Sequence, residues 1–218
     1  MLFKTATSRN IFSIVAVGVV ATVATASSLF VLSYHQMKAA GSAEMRAAAQ
    51  NSAAAIEGGI ASRMQAVHTL RVTLQVLAAA RDGDRALADR VLTEMQAGSQ
   101  GLLGVWAGFE PNAFDGRDAQ FANAPNHDAT GRYLSYATTD ADGRVNLEPI
   151  VGYDQPGEGD YYLNARNSGR PVIMEPFAYE VNGVSTLMTS LTAPIVVDGT
   201  VVGVAGADLG LDAITRTL

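Results

Sequence analysis

The sequence predicts an α+β protein in which long helices come first and an antiparallel sheet follows. The first observation is that the region from Met37 to about Ala80 contains no proline and carries apolar residues at helical spacing. The second is a change of composition, because all seven prolines lie beyond residue 110 and 15 of the 21 glycines lie beyond residue 98. The third is a set of Asn-Gly and Asp-Gly pairs between strand-like runs, which is typical of tight hairpins.

The first element is an apolar segment from Ile11 to Leu32, which has 22 residues and no charged side chain. A bilayer core of about 30 Å needs roughly 20 helical residues, whereas the apolar region of a cleaved signal peptide usually has about 7 to 15. The segment therefore predicts a membrane-spanning signal anchor. Lys4 and Arg9 precede it and favour a cytoplasmic N-terminus, which places the later residues outside the inner membrane.

A second helical region, from Met37 to about Ala80, is predicted to continue directly out of the membrane segment. Its apolar positions cover 21 residues in six steps, a mean spacing of 3.5, and they are Ile56, Ile60, Met64, Val67, Leu70, Leu74 and Leu77. Such a stripe fits a coiled-coil seam between two copies of the chain, and it equally fits packing against the domain that follows. We expect a homodimer through this stalk helix, a packed helix, or both along different lengths.

A shorter helix is predicted after the break at Asp82-Gly83-Asp84. Asp84 is a suitable N-cap and Gly98 a suitable end, and the apolar face consists of Leu87, Val91, Leu92 and Met95.

Six strand-like runs follow, and they are Leu102 to Phe109, Arg132 to Thr138, Val145 to Val151, Val172 to Tyr179, Ser185 to Val197 and Thr200 to Leu209. Asn182-Gly183 and Asp198-Gly199 separate the last three runs and predict two tight hairpins, so these strands should form an antiparallel meander. The resulting division is an N-terminus and anchor over residues 1–36, helices over 37–98, and a sheet domain over 99–218.

Composition excludes several classes of function. The formal net charge of −6 without clustered Lys and Arg argues against nucleic-acid binding. The chain has no cysteine, and its three histidines are not at metal-ligand spacing from one another. It also lacks a P-loop and a Gly-x-Ser-x-Gly elbow. We therefore expect no enzyme, no metal and no cofactor.

Several segments of the sheet domain resemble a known sensor family. The run GRPVIMEPFAYEVNGVSTLMTSLTAPIVVDGTVVGVAGADLGLDAI, preceded by FEPNAFDGRDAQF and GDYYLNAR, is similar to the membrane-distal, PAS-like module of double Cache domains. These are extracytoplasmic sensors of methyl-accepting chemotaxis proteins. The resemblance implies a non-enzymatic chemotaxis sensor, and we expect the chain to be the N-terminal portion of a receptor. The output domain would be a chemotaxis signalling domain, a histidine kinase or a nucleotide cyclase.

The same resemblance suggests a ligand pocket. Members that bind amino acids carry an arginine two residues before an aromatic pair, a later aromatic after Glu-Pro, and an aspartate in the closing strand. The matching positions here are Tyr161 and Tyr162, Phe177, and Asp208, but the arginine position holds Gly159. Since a guanidinium is the bidentate partner of a carboxylate, its loss speaks against α-amino acids.

A carboxylate among aromatic rings suits a positively charged nitrogen, which gains roughly 0.5 to 2 kcal/mol over a ring face. We therefore expect a small amine, a quaternary ammonium compound or a betaine as ligand. The candidate ligand-binding residues are Trp106, Tyr136, Tyr153, Asp160, Tyr161, Tyr162, Glu175, Phe177, Tyr179 and Asp208. The competing interpretation is that these aromatic residues only pack in a core; if Tyr161-Tyr162 is extended, one of the two rings faces away from the pocket.

Three other functions remain open from the sequence. An amino-acid sensor could use Arg132, Arg166 or Arg170 in place of the missing arginine. A membrane-anchored enzyme could use Asp160, Glu175 and Asp208 as clustered carboxylates. A ligand-free dimerisation module would have its pocket filled by its own side chains.

Overall fold

The computed structural model describes residues 6–80, 83–99 and 101–211, with side chains from Asn10 onward. Helix α1 runs from Ala6 to Ala79 without interruption. Its apolar part is long enough to cross a membrane, judged by length and composition alone. Two compact units divide within this helix, between Ala54 and Ala55. The predicted membrane orientation depends on Lys4, and the predicted helix break includes Asp82. Both residues lie outside the part of the chain that the structure describes.

Helix α2, Arg85–Gly98, begins and ends where the sequence predicts. The Asp84 side chain accepts a hydrogen bond from the backbone N–H of Leu87 at 3.1 Å, as an N-cap does. Its buried residues face the sheet and include Ala88 and Leu92.

Seven antiparallel strands form one sheet in the order β3-β2-β1-β7-β6-β4, and β5 also pairs with β6. The strands are β1 Gly104–Phe109, β2 Leu134–Thr139, β3 Val145–Glu148, β4 Val172–Ile173, β5 Phe177–Val181, β6 Val184–Val197 and β7 Thr200–Gly210. Two short helices, α3 Asp118–Phe121 and α4 Asp160–Ser168, lie in the connections. The α+β prediction is confirmed.

Two strand predictions were too long because each run reaches a proline. The predicted strand Val172 to Tyr179 is divided into β4 and β5, and Pro176 lies in the break. The predicted strand Val145 to Val151 ends as β3 at Glu148, just before Pro149. Proline has no backbone N–H to donate to a neighbouring strand, so it interrupts the ladder at both places.

The final three strands form the predicted meander. Asn182 and Gly183 have φ of 50° and 75°, and Asp198 and Gly199 have φ of 50° and 79°, as the primed hairpin turns require. Between the Asp198 turn and the middle of β6, the register with β7 shifts by one residue at Ile195 and Val196.

Helix α4 was not predicted, and it contains the Tyr161-Tyr162 pair. The segment has Asp160 in its first turn and ends at Gly169, whose φ of 65° is the left-handed conformation common after a helix. The assumption that the pair is extended is therefore wrong. Neighbouring residues on a helix differ in direction by about 100°, so both rings can be buried, and both are.

The sheet has a hydrophobic cluster on each face, because alternate residues of the central strands point in opposite directions. The first cluster contains the buried α1 residues Val67, Leu70 and Leu74. This part of the apolar stripe therefore packs on its own sheet. The second cluster contains aromatic residues and lies under α4.

Candidate ligand-binding site

A small cavity lies in the second cluster, and Asp208 supplies its charge. Its lining residues are Trp106, Tyr136, Ile150, Tyr161, Tyr179, Ser190 and Asp208. The volume open to the centre of a water molecule is about 10 Å³, which is close to the space that one water needs. In this conformation the cavity is therefore nearly closed.

Two glycines of the sheet make room for the rings of Trp106 and Tyr136, which line the cavity. Trp106 lies directly opposite Gly206 in the register of β1 and β7. A Cβ on Gly206 would overlap the indole ring, and a Cβ on Gly104 would overlap the ring of Tyr136. Both rings therefore lie against bare backbone, which brings them next to Asp208.

Asp208 is fully buried, and its two carboxylate oxygens have different surroundings. Oδ1 accepts hydrogen bonds from the Ser190 hydroxyl at 2.5 Å and from the Trp106 indole N–H at 3.2 Å. The Tyr136 hydroxyl also lies beside the carboxylate. Burial raises the pKa of Asp208 from 3.8 to about 6, although Ser190, Trp106 and Tyr136 act in the opposite direction as hydrogen-bond donors. Around neutral pH the site thus holds a poorly solvated negative charge.

Tyr136 has a buried hydroxyl without a hydrogen-bond partner among the described residues. Only 1% of the residue is exposed. Burial raises its pKa, and the nearby Asp208 carboxylate raises it further. The hydroxyl is therefore close to Asp208 but lacks a good hydrogen bond. Such unsatisfied buried groups are rare in proteins.

Tyr161 and Tyr179 contribute ring surfaces rather than free hydroxyls. The Tyr161 hydroxyl donates to the Val151 carbonyl at 2.6 Å, and the Val151 N–H donates to the Tyr179 hydroxyl at 3.2 Å. The ring centroids of Tyr161 and Trp106 are 5.2 Å apart in an edge-to-face arrangement. The walls of the cavity are therefore aromatic and the polar groups are on its floor.

Two of the predicted aromatic residues, Tyr153 and Tyr162, belong to the same buried cluster but do not line the cavity. The Tyr162 hydroxyl donates to Glu110 Oε1 at 2.6 Å, and Tyr153 contacts the Arg132 guanidinium through its ring, 4.7 Å from the centroid. The Glu110 Oε2 atom accepts a 2.7 Å hydrogen bond from Arg166 on α4. This Glu110 cluster attaches α4 to the end of β1.

The remaining predicted residues also lie outside the cavity lining. Phe177 stacks behind Tyr161 with a centroid distance of 6.3 Å. Asp160 accepts a hydrogen bond from the Gly157 N–H at the start of α4. Glu175 is exposed between β4 and β5. Of the ten predicted residues, the structure brings five to the cavity: Trp106, Tyr136, Tyr161, Tyr179 and Asp208.

The position of the missing arginine has no room for a side chain. Gly159 is buried, and a Cβ there would overlap the Gly152 carbonyl oxygen and lie 2.6 Å from the Tyr153 carbonyl carbon. Close approach of backbone segments thus requires glycine here.

No other arginine replaces it in the cavity lining. Arg132 and Arg166 both form ion pairs with Glu110, and Arg170 is exposed. Among the residues of the chain that the structure describes, no group of three or more His, Cys, Asp or Glu side chains could hold a metal ion.

Ser190 and Ile150 line the cavity but were not among the predicted residues. Counting outward from the Asp198-Gly199 turn would place Asp208 opposite Thr189. The one-residue register shift in the β6-β7 pair places Ser190 there instead. No signal in the sequence located this bulge. Ile150 follows Pro149 in a loop and had no recognisable pattern.

Comparison with known proteins gives a consistent result. A family model described as the first PDC sensor domain of methyl-accepting chemotaxis protein-like proteins matches residues 88–216. The methyl-accepting chemotaxis protein TlpQ of Pseudomonas aeruginosa is 30% identical to this chain over 136 residues, which are 57% of this chain and 19% of that protein.

Solved sensor domains have the same fold. The extracellular domain of mmHK1S-Z2 is similar with a TM-score of 0.62 and 34% identity, over 71% of this chain and 55% of that one. Methyl-accepting chemotaxis protein X has a TM-score of 0.61 and 29% identity, over 78% of this chain and 63% of that one. The chain thus spans less than two thirds of each of these proteins.

Proposed function

The chain belongs to the family of first PDC sensor domains of methyl-accepting chemotaxis protein-like proteins, and we propose that it binds a small organic cation in the Asp208 cavity. The membership confirms the sequence-based resemblance to a Cache sensor of a chemotaxis protein. A domain of this family is a sensor, so the function proposed here is ligand binding without catalysis.

The observation that carries the proposal is the buried carboxylate of Asp208, which forms no ion pair with a described residue. A buried carboxylate is unfavourable unless a cation or hydrogen-bond donors compensate it. The groups beside it, Ser190, Trp106 and Tyr136, are all neutral, and Asp208 lines the cavity. A bound ammonium group would compensate this charge, and the rings of Trp106 and Tyr161 would add cation–π attraction.

Binding requires the cavity to open, since about 10 Å³ is too small for an organic cation. Tyr179 lies on β5, which pairs with β6, and it is less buried than the other aromatic rings of the lining. In the proposed mechanism, Tyr179 moves outward and the ligand stabilises the open arrangement. The ligand must then prefer the open form over the closed one.

A second candidate is a ligand-free structural module. The small volume of the cavity favours it, because a pocket filled by its own side chains has no room for a ligand. It gives no reason for a buried Asp208 carboxylate that has no ion pair with a described residue. The ligand-binding proposal accounts for this charge.

An amino acid is a weaker candidate because no guanidinium lines the cavity. Arg132 and Arg166 already bind Glu110, and Gly159 cannot be replaced by a larger residue without backbone movement. The carboxylate enzyme is weaker too, since Asp160 and Glu175 do not join Asp208 in the cavity.

We further propose that the apolar part of α1 anchors the sensor in the inner membrane, with the sheet domain in the periplasm, and that two copies associate through α1. Ligand binding would be signalled through this helix to an output domain of the full receptor. The apolar composition of α1 supports the membrane anchor. The packing of Val67, Leu70 and Leu74 of α1 against the sheet supports signalling from the sheet domain to this helix.

The experiment is a thermal-shift and calorimetric screen of the whole 218-residue chain in detergent micelles. The ligands are alkylamines, choline, betaines and the standard amino acids, each tested on the native chain and on Asp208→Asn. Saturable binding of cations that disappears in Asp208→Asn supports the proposal. Stabilisation by amino acids alone, or binding unchanged in the variant, contradicts it.

A further inference from the structure

The β5–β6 hairpin continues past the end of β7 as a ribbon of two strands. Strand β7 pairs with β6 from Met188 onward, and among the described residues positions 184–187 of β6 pair with β5 alone. We call residues 178–187 the flap. A two-stranded ribbon is only marginally stable by itself in water, so the position of the flap depends on its contacts with the rest of the domain.

The tip of the flap is bound to the far side of the sheet. The Thr138 hydroxyl donates a hydrogen bond to Asn182 Oδ1 at 3.1 Å, and Asn182 Nδ2 donates to the Thr139 carbonyl at 3.2 Å. Both partners belong to β2, which β1 and β7 separate from β6 in the sheet. The flap therefore bends back over two strands to reach them.

The flap crosses the sheet at the level of the cavity. One row of directly opposite residues consists of Thr138 on β2, Gly104 on β1, Asp208 on β7 and Ser190 on β6. The tip of the flap is bound at the Thr138 end of this row, and the flap leaves the sheet from β6 near the other end. Tyr179 of the flap lines the cavity together with Asp208. The flap is therefore a cover of the cavity.

A third hydrogen bond attaches the flap to the loop after β3. The Val151 N–H donates to the Tyr179 hydroxyl at 3.2 Å. The rings of Tyr179 and Tyr136 also meet edge to face, with a centroid distance of 6.2 Å. A small number of neutral contacts thus holds the flap on the aromatic face, and each such hydrogen bond makes a modest net contribution.

Two like charges oppose this closed position. Glu180 belongs to the flap, and Glu148 belongs to β3, directly opposite Tyr136 on β2. Burial raises the pKa of Glu148, and the charge of Glu180 raises it further. The two carboxylates therefore repel each other when the flap is closed.

We propose that the flap is a gate, which opens by moving its tip away from β2 and closes when Asn182 binds Thr138 and Thr139. The inference rests on the proposed function, because it assigns the outward movement of Tyr179 to a whole hairpin with one latch. Pairing within the hairpin is kept in the open form. Opening uncovers Trp106 and Asp208, while the other strands of the sheet stay paired.

The test measures opening without any ligand. Trp106 is the single tryptophan of the chain, it is 1% exposed, and its indole N–H donates to Asp208. Exchange of this proton with solvent therefore requires the cavity to open. NMR spectroscopy of the full chain in detergent micelles follows the indole resonance. The backbone amides of β1 report whether the sheet itself opens.

Asn182→Gly removes the latch and keeps the turn, because glycine readily adopts the φ of 50° found at this position. Two hydrogen bonds are lost, so we expect exchange of the indole proton to be about tenfold faster, with native exchange of the β1 amides. Asp198→Gly is the matched control, since Asp198 also has a φ of 50° and precedes a glycine in the β6–β7 turn. It should leave exchange of the indole proton unchanged.

Two further changes should keep the flap closed. The chain has no cysteine, so Thr138→Cys combined with Asn182→Cys allows a single disulfide, between side chains that are in contact. Indole exchange should be about tenfold slower or more in the oxidised than in the reduced form of this double variant, because the cross-link holds the tip on β2. Glu180→Gln removes the repulsion from Glu148 and should slow exchange by about twofold or more.

The results separate the gate from the proposed function. Unchanged indole exchange in Asn182→Gly, or an increase that the β1 amides share, contradicts the gate, and cation binding in the ligand screen would still support the site. If exchange responds as expected but no cation binds, the gate is supported and the proposed function is wrong.

Discussion

Ser190 lies directly opposite Asp208 in the register of β6 and β7, and its hydroxyl donates a hydrogen bond of 2.5 Å to Asp208 Oδ1. This pairing holds the carboxylate on the aromatic face of the sheet. The Trp106 indole N–H donates to the same oxygen, and all three residues line the cavity. The surroundings of this site and of helix α4 lead to five predictions.

Replacing Asp208 by asparagine should abolish cation binding and stabilise the ligand-free protein. The folded state raises the pKa of this carboxyl from 3.8 to about 6, which means that its charged form is disfavoured by burial. The difference corresponds to about 3 kcal/mol of unfolding free energy. Chemical denaturation at about pH 8 should therefore show the variant to be more stable by up to this amount. Asp160→Asn, outside the cavity, is the control and should retain binding.

The stability difference between the native chain and Asp208→Asn should depend on pH in a defined direction. Because the folded-state pKa is raised, the native chain loses stability as pH rises from about 4 to about 6, and the loss is complete above that range. The two proteins should therefore differ little near pH 4 and most near pH 8. Denaturation curves over this range measure the difference, and a constant difference would show that Asp208 titrates normally.

Cation affinity should also fall as pH decreases through about 6. An alkylammonium ligand keeps its charge over this range, whereas Asp208 becomes protonated and neutral. We expect affinity to drop by up to about tenfold for each pH unit well below that value. Calorimetric titration of the native chain at several pH values tests this. A flat profile would mean that the cation is bound by another group.

Replacing Gly206 by alanine should displace the indole ring of Trp106. The new methyl group would overlap the ring, and displacement would break the hydrogen bond to Asp208. We expect a destabilisation of about 1 to 3 kcal/mol and a change in the fluorescence of Trp106, the single tryptophan of the chain. Gly58→Ala is the matched control, since open space surrounds that helical position. It should stabilise the protein by about 0.5 to 1 kcal/mol without altering the fluorescence.

Replacing Glu110 by glutamine should loosen the attachment of α4. Burial raises the pKa of Glu110, but hydrogen bonds from Tyr162 and Arg166 outweigh it, and the net pKa lies below 4.5. The carboxylate therefore contributes stability above that pH, and this contribution is lost as pH falls through the lowered value. At neutral pH we expect a loss of about 1 to 2 kcal/mol, limited by solvent screening. Hydrogen exchange of the α4 amides should become faster.

The control for this variant is Glu148→Gln. Burial and the charge of Glu180 raise the pKa of Glu148, so its charged form is disfavoured in the folded state. The substitution should leave stability at neutral pH unchanged or slightly higher, with native exchange in α4. Equal losses in both variants would show that the Glu110 hydrogen bonds do not hold the helix.

Local patterns were sufficient to predict the main elements of the fold. The Asn182-Gly183 and Asp198-Gly199 turns and the Asp84 cap depend on a few neighbouring residues, so they could be read directly. Helix α4 was missed because its nine residues show little amphipathic pattern and include five polar side chains, Asp160, Asn164, Arg166, Asn167 and Ser168. Its formation depends on packing two tyrosines on different partners, which only the tertiary structure provides.

The candidate site could be predicted only in part, and for a related reason. Asp208 was identifiable because an acid in an apolar strand needs a partner. The separation of Tyr161 from Tyr162 could not be predicted, because it depends on the direction of α4. The role of Ser190 depends on the bulge near Ile195, since a slip of one residue turns a strand's side chains to the opposite face.

Strand β7 presents Asp208 on one face and Ala207 and Leu209 on the other, where they share a buried cluster with Val67 and Leu70 of α1. A single backbone thus links the carboxylate to the surface on which the helix rests. A shift of this strand would move both sides at once, so the proposed signal from pocket to helix would need no relay of intermediate side chains.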